Sequence, residues 1–179
     1  MLKTILTYGA VAGLLVGVPL SAMVLTTNGE PPPWGMAIGY ALMLVALSTV
    51  FLAIKRRRDG EGGGIIGFWP ALGLGLGISL VAGVVYVVAW ESATALAGLD
   101  FAEAYSRALI AEQRAAGVSG PALARFEADM ARFRADYANP FYRWPMTFSE
   151  IFPVGVLVSL VSAGLLRNPR FLPARRSAA

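Results

Sequence analysis

Three stretches of this chain run for more than twenty residues without a charged side chain, and a fourth carries only Glu150. At 1.5 Å of rise per residue, about 20 apolar residues cross a hydrocarbon core of roughly 30 Å. The pattern therefore predicts four transmembrane helices, over about residues 4–25, 34–54, 65–90 and 146–166. Lys3 precedes the first span, which is too long for the apolar core of a secretory signal and lacks an Ala-x-Ala site. It is expected to be retained. Pro31-Pro32-Pro33 and Trp34 open the second span, and Lys55-Arg56-Arg57-Arg58 closes it. Gly62-Gly63-Gly64 reads as loop before the third, which ends at Trp90 and Glu91. Trp144, Phe148 and Phe152 form an aromatic belt at the start of the fourth, and Arg167 closes it.

A different periodicity fills the gap between spans three and four. Asp100-Phe101-Ala102-Glu103 resembles a capping box, and the helix it opens is expected to run to about Ala116. Gly117-Val118-Ser119-Gly120-Pro121 then supplies a C-cap glycine, a new cap residue and a first-turn proline. In the second helix Leu123, Phe126, Met130, Phe133 and Tyr137 recur at steps of three and four, opposite Arg125, Glu127, Asp129, Arg132 and Asp136. Asn139-Pro140 ends it. A two-helix hairpin over about 100–138 is too small for a core of its own, so its apolar faces are expected to pack on each other and on the span ends. The whole of 1–179 is one all-α membrane domain, a four-transmembrane-helix bundle carrying this hairpin, followed by a basic tail at 167–179.

Composition agrees: 56% of residues are hydrophobic and 15% charged, where soluble domains carry about 25% charged. The chain has no Cys and no His. Disulfides, thiol nucleophiles, imidazole bases and most zinc sites are thereby excluded. A net charge of +4 comes without basic and aromatic interleaving, so no nucleic-acid partner is expected. The abundance of Arg over Lys, with many Ala and Gly, suggests a bacterial source. Lys3, Lys55 to Arg58, and Arg167, Arg170, Arg175 and Arg176 fall on one side of a four-span chain, which the positive-inside rule makes cytoplasmic. Both termini are then cytoplasmic, in the bacterial inner membrane, and the hairpin is outer, or periplasmic.

Few side chains are candidates for chemistry. Glu91 and Glu150 are expected at similar depth near the outer face, where paired carboxylates share a proton or hold a cation; water or Arg143 neutralising them is the plainer explanation. Lys55, Arg56, Arg57 and Arg58 are candidates for anionic lipid headgroups, although they serve equally as a topological signal. Gly9, Gly13 and Gly17, then Gly155, Ser159 and Ala163, are small residues four apart, and Gly73 and Gly77 repeat the spacing. Such faces let backbones approach closely, here within one chain in preference to a dimer. Gly73-x-Gly75-x-Gly77 lies inside an apolar span with no strand before it and is no nucleotide fingerprint.

Several local patterns are similar to the bacterial membrane family called domain of unknown function 4199. They are Gly39-Tyr40, Ile54-Lys55, Arg58-Asp59, Tyr86 with Trp90, Ala116-Gly117-Val118-Ser119 and Asn139-Pro140, and then the longest block, Thr147-x-x-Glu150-x-x-Pro153-x-Gly155 leading into Ser159-Leu160-Val161-Ser162-Ala163. The resemblance covers most of the chain. It implies a small inner-membrane protein with no known cofactor, it singles out Glu150 and Pro153, and it points to no catalytic residue. Where the family often has a Ser and a Lys near the start of span three, this chain reads Gly67-Phe68-Trp69-Pro70-Ala71.

The functional expectation is a non-enzymatic membrane protein that associates with itself or with a membrane partner. The alternative is a small oligomeric transporter or channel with a path lined by Glu91, Glu150, Tyr40, Ser48 and Thr49. An enzyme ranks third, since only carboxylates, Tyr and Ser are at hand and no motif uses them.

Overall fold

The computed structural model describes residues 1–30, 32 and 34–173, so Arg175 and Arg176 of the expected tail lie outside the described residues. Six helices follow in order: α1 (Leu2–Thr26), α2 (Gly35–Gly60), α3 (Phe68–Ala97), α4 (Phe101–Ala115), α5 (Gly120–Tyr137) and α6 (Pro140–Leu166). There is no strand among the described residues. α1, α2, α3 and α6 are each long and apolar enough to cross a membrane.

The helices run past the apolar windows. α2 continues through Lys55–Arg58 to Gly60, because one-turn pairs, Lys55 with Asp59 and Arg57 with Glu61, sustain it in water. α3 starts at Phe68, three residues later than the apolar run suggests, and extends to Ala97, where Gly98 at φ 61° ends it. There the Gly98 and Leu99 amides donate back to the Ala95 and Thr94 carbonyls. α6 begins at Pro140, six residues before the expected span, since the Asn139 side chain accepts from the Phe141 amide at 3.0 Å.

Asp100 caps α4 by accepting from the Glu103 amide at 2.9 Å. Glu103 itself turns across the hairpin to Arg134 instead of reaching back to the cap. Gly117, at φ 83°, closes α4, but the Ser119 side chain makes no capping bond to α5. Leu123, Phe126, Met130 and Phe133 of the expected stripe are half-buried, and Tyr137 is buried.

α3 is the hub. α1 packs parallel to it, Gly9, Gly13 and Gly17 meeting Val81, Val85 and Ala89 in turn. A Cβ on Gly13 would lie 2.6 Å from the Val85 Cβ and 2.7 Å from the Ala82 carbonyl, so hydrogen alone permits this approach. α6 packs antiparallel on α3 through a reciprocal contact: the space a Cβ would take on Gly75 holds Ser159, and that on Gly155 holds Ser79. The two hydroxyls lie 3.3 Å apart, and each also bonds the carbonyl of its own helix one turn back, Ser79 to Gly75 at 2.9 Å and Ser159 to Gly155 at 2.7 Å. No polar group is stranded in this close contact. The small residues of spans one and four thus pack inside one chain. Gly77 packs on Ile5, whereas Gly73, expected to share that role, meets nothing.

The dry core of Val16, Leu47, Val50, Ile54, Leu74, Ile78 and Ile151 fills the middle. Large apolar side chains such as Leu14, Val18, Val45, Leu80, Val84 and Leu157 cover the outside. That inversion of a soluble surface is what lipid requires.

Candidate functional site

Polar structure concentrates at the two ends of the bundle. At the hairpin end, the last turns of α3 meet α4, α5 and the start of α6. Arg143 Nε and Nη2 donate to Glu91 Oε1 and Oε2, each at 2.6 Å, while Nη1 donates to the Tyr137 carbonyl at 3.0 Å. The guanidinium also lies 5.5 Å from the centre of the Tyr137 ring. Trp90 Nε1 donates to the Tyr137 hydroxyl at 3.0 Å. Phe101 packs edge-on to Trp90 with centroids 4.9 Å apart and stacks with Tyr105 at 5.4 Å. Burial pushes the Tyr137 phenol up to about 12; the charges of Glu150 and Glu91 add to the rise, and the Trp90 bond and Arg143 oppose it.

The same end holds a cavity of about 450 Å³, lined among others by Glu91, Thr94, Asp100, Phe101, Arg134 and Arg143.

Glu150 stands apart from Glu91. Its Oε2 accepts from the Tyr86 hydroxyl at 3.0 Å. Tyr86 is five residues before Glu91 and Glu150 is seven after Arg143, so Glu150 lies about 7–10 Å deeper along the helix axes than the Glu91–Arg143 pair. The two carboxylates therefore do not lie at the similar depth expected of them, and each has its own partner. α6 starts at Pro140, which puts Glu150 in its third turn. The residue is exposed on α6, on the same side as Pro153, Leu157, Val161 and Gly164. The exposed sides of α1 and of α3 up to Trp90 present no Asp, Glu, Lys or Arg at comparable depth.

The basic end does not present four free cations. Arg58 is 0% exposed; its Nε donates to Asp59 Oδ1 at 2.7 Å, Nη1 to the Phe171 carbonyl at 2.9 Å and Nη2 to the Leu172 carbonyl at 2.5 Å. Lys55 pairs with Asp59, and Arg57 with Glu61 at 3.5 Å. Arg56 is exposed and donates to the Tyr8 hydroxyl at 2.9 Å. Arg58 is withdrawn from any headgroup role because the chain after α6 folds back over it. Sequence reasoning missed this, and nothing near residue 58 announces partners at 171 and 172.

The residues proposed to line a transport path are not gathered. Ser48 and Thr49 donate to carbonyls of their own helix at 2.6 Å, Glu91 is held by Arg143, and Tyr40 is exposed. Among the described residues no group of three or more acidic side chains is placed to hold a metal ion.

Four long apolar helices and a polar hairpin define a multi-pass helical membrane protein. Over residues 7–168 the chain matches the family described as protein of unknown function (DUF4199), and it belongs to that family. No curated protein and no solved structure matches it.

Proposed function

We propose that this chain is a non-enzymatic membrane protein that works by lateral association, with itself or with another membrane protein, through the face of α6 that carries Glu150. One observation carries the reading: a glutamate well inside a span whose side chain lies on the bundle's perimeter, with its carboxylate turned onto the buried Tyr86 hydroxyl, its one hydrogen-bond partner among the described residues. On insertion scales an acidic Asp costs about 2.5–3.5 kcal/mol at the centre of a membrane helix, and ionisable groups at that depth ordinarily face protein or a water-filled cavity, not lipid. An adjoining helix would give Glu150 that protein surface. Gly9, Gly13, Gly17, Gly75 and Gly155 are already used between α1, α3 and α6, whereas Gly164, on the Glu150 side of α6, has open space beside it. The basic residues at one end support, by the positive-inside rule, a reading with both termini cytoplasmic and the hairpin on the far side of a bacterial inner membrane.

The absence of native cysteine makes the test direct. A cysteine at Leu157, on the Glu150 side of α6, is expected to crosslink in native membranes, while one at Leu14, on the exposed side of α1, is not. Glu150→Leu should abolish the adduct. Equal crosslinking from both positions, or none from Leu157, overturns the proposal. Reporter fusions after Lys55 and within the hairpin should report opposite sides of the bilayer.

A further inference from the structure

The cavity beneath the hairpin lies away from the α6 face just discussed, and its lining has chemistry of its own. Its volume of about 450 Å³ falls within the range of small-ligand sites, about 300–1,000 Å³. In the Glu91–Arg143 pair in its wall, both carboxylate oxygens and each of the three guanidinium nitrogens already have a partner. Two other charged lining residues keep spare capacity. Arg134 commits Nη1 to Glu103, and its Nε and Nη2 have no partner among the described residues. Asp100 commits Oδ1 to the Glu103 amide, and its Oδ2 is likewise without a partner among them.

The surroundings sort these two groups into poles. Thr94, Ala95 and Gly98, the final turn of α3, line the cavity. A helix C-terminus presents carbonyls and favours a cation, as does the carboxylate of Asp100. Phe101 and Tyr137 supply apolar surface in the same wall for the methylenes of a short linker. The free guanidinium N–H groups of Arg134 favour an oxyanion, accepted by two parallel hydrogen bonds.

We propose that this cavity binds a zwitterionic group, an oxyanion and a primary ammonium joined by a short linker, with the oxyanion on Arg134 and the ammonium against Asp100. Phosphoethanolamine has that chemistry, whether it arrives as a lipid headgroup from the adjoining leaflet or as a free solute.

Calorimetry on the full chain in nonionic detergent, with O-phosphoethanolamine, inorganic phosphate and ethanolamine as separate probes, tests the pairing. O-Phosphoethanolamine is expected to bind at least tenfold more tightly than either half. Arg134→Gln and Asp100→Asn should each weaken it tenfold or more, and Asn retains the cap of α4, so the fold is kept. Nanodiscs separate the two sources. If phosphatidylethanolamine discs raise the melting midpoint above phosphatidylglycerol discs in the parent but not in the variants, the ligand is a headgroup. If the soluble probe binds equally in both discs, it is a solute. Phosphate alone binding as tightly as the zwitterion would reduce the cavity to an anion site and overturn the proposal. So would ethanolamine alone doing so, absence of binding in detergent with no difference between discs, or variants that bind like the parent.

Discussion

Each end of the bundle is closed by an arginine, and the two are held in different ways. Arg58 at the basic end is fully buried; its charge is met by the next residue, Asp59, and its other donors by two main-chain carbonyls more than a hundred residues along. Arg143 at the hairpin end is partly open to water and finds its counter-charge on another helix, in the two-pronged contact with Glu91. Water can replace part of what is lost on both sides of the second pair, but in the first it reaches Asp59 and not the Arg58 guanidinium. Burial, more than the number of hydrogen bonds, decides which arginine the fold depends on.

Substitutions at the two ends should separate accordingly. Arg58→Met leaves the Phe171 and Leu172 carbonyls unmet and should cost about 3–5 kcal/mol, read as a loss of melting midpoint in detergent together with faster proteolysis just after α6. Glu91→Gln and Arg143→Gln should each cost about 2 kcal/mol, and the double variant less than the sum. A cost at Glu91 equal to that at Arg58 would erase the distinction between the ends. Tyr137→Phe strands the Trp90 indole donor and should cost about 1 kcal/mol. Because burial raises the Tyr137 phenol from 10 to about 12, its neutral form is favoured by folding. That contribution is complete below pH 10 and is lost as pH climbs through about 12. The alkaline fall in melting midpoint should therefore be shallower in Tyr137→Phe than in the parent. The smallest contrast lies within the hairpin: Asp100→Ala should lose about 1 kcal/mol with its cap, and Ser119→Ala, which removes no capping bond, should change little.

The spans were legible because uncharged runs of that length have one common explanation, but the helix ends were not. Hydrogen bonding along a helix continues in water, so α2 persists through its arginines and α3 past Glu91, where hydropathy has nothing more to report. The start of α6 could have been read from Asn139-Pro140, a cap followed by a first-turn proline, which also begins a helix. Arg143, named from the sequence as a group that could neutralise Glu91 or Glu150, does hold Glu91, but the Tyr86 partner of Glu150 and the different depths of the two carboxylates depend on helix register that no local pattern reveals. Gly75 and Ser79 went unread in favour of Gly73 and Gly77, although their spacing repeats that of Gly155 and Ser159. Matching the two Gly-x-x-x-Ser pairs would have found the α3–α6 contact.

The Arg58 clasp also has a bearing on how the molecule is made. A ribosome delivers the guanidinium of residue 58 long before residues 171 and 172 exist, so for most of translation that group has only Asp59 at hand. The arginine end of α2 therefore cannot close until the polypeptide has passed α6. A nascent chain stopped earlier leaves two of the guanidinium's nitrogens without the carbonyls that seal them in the finished one.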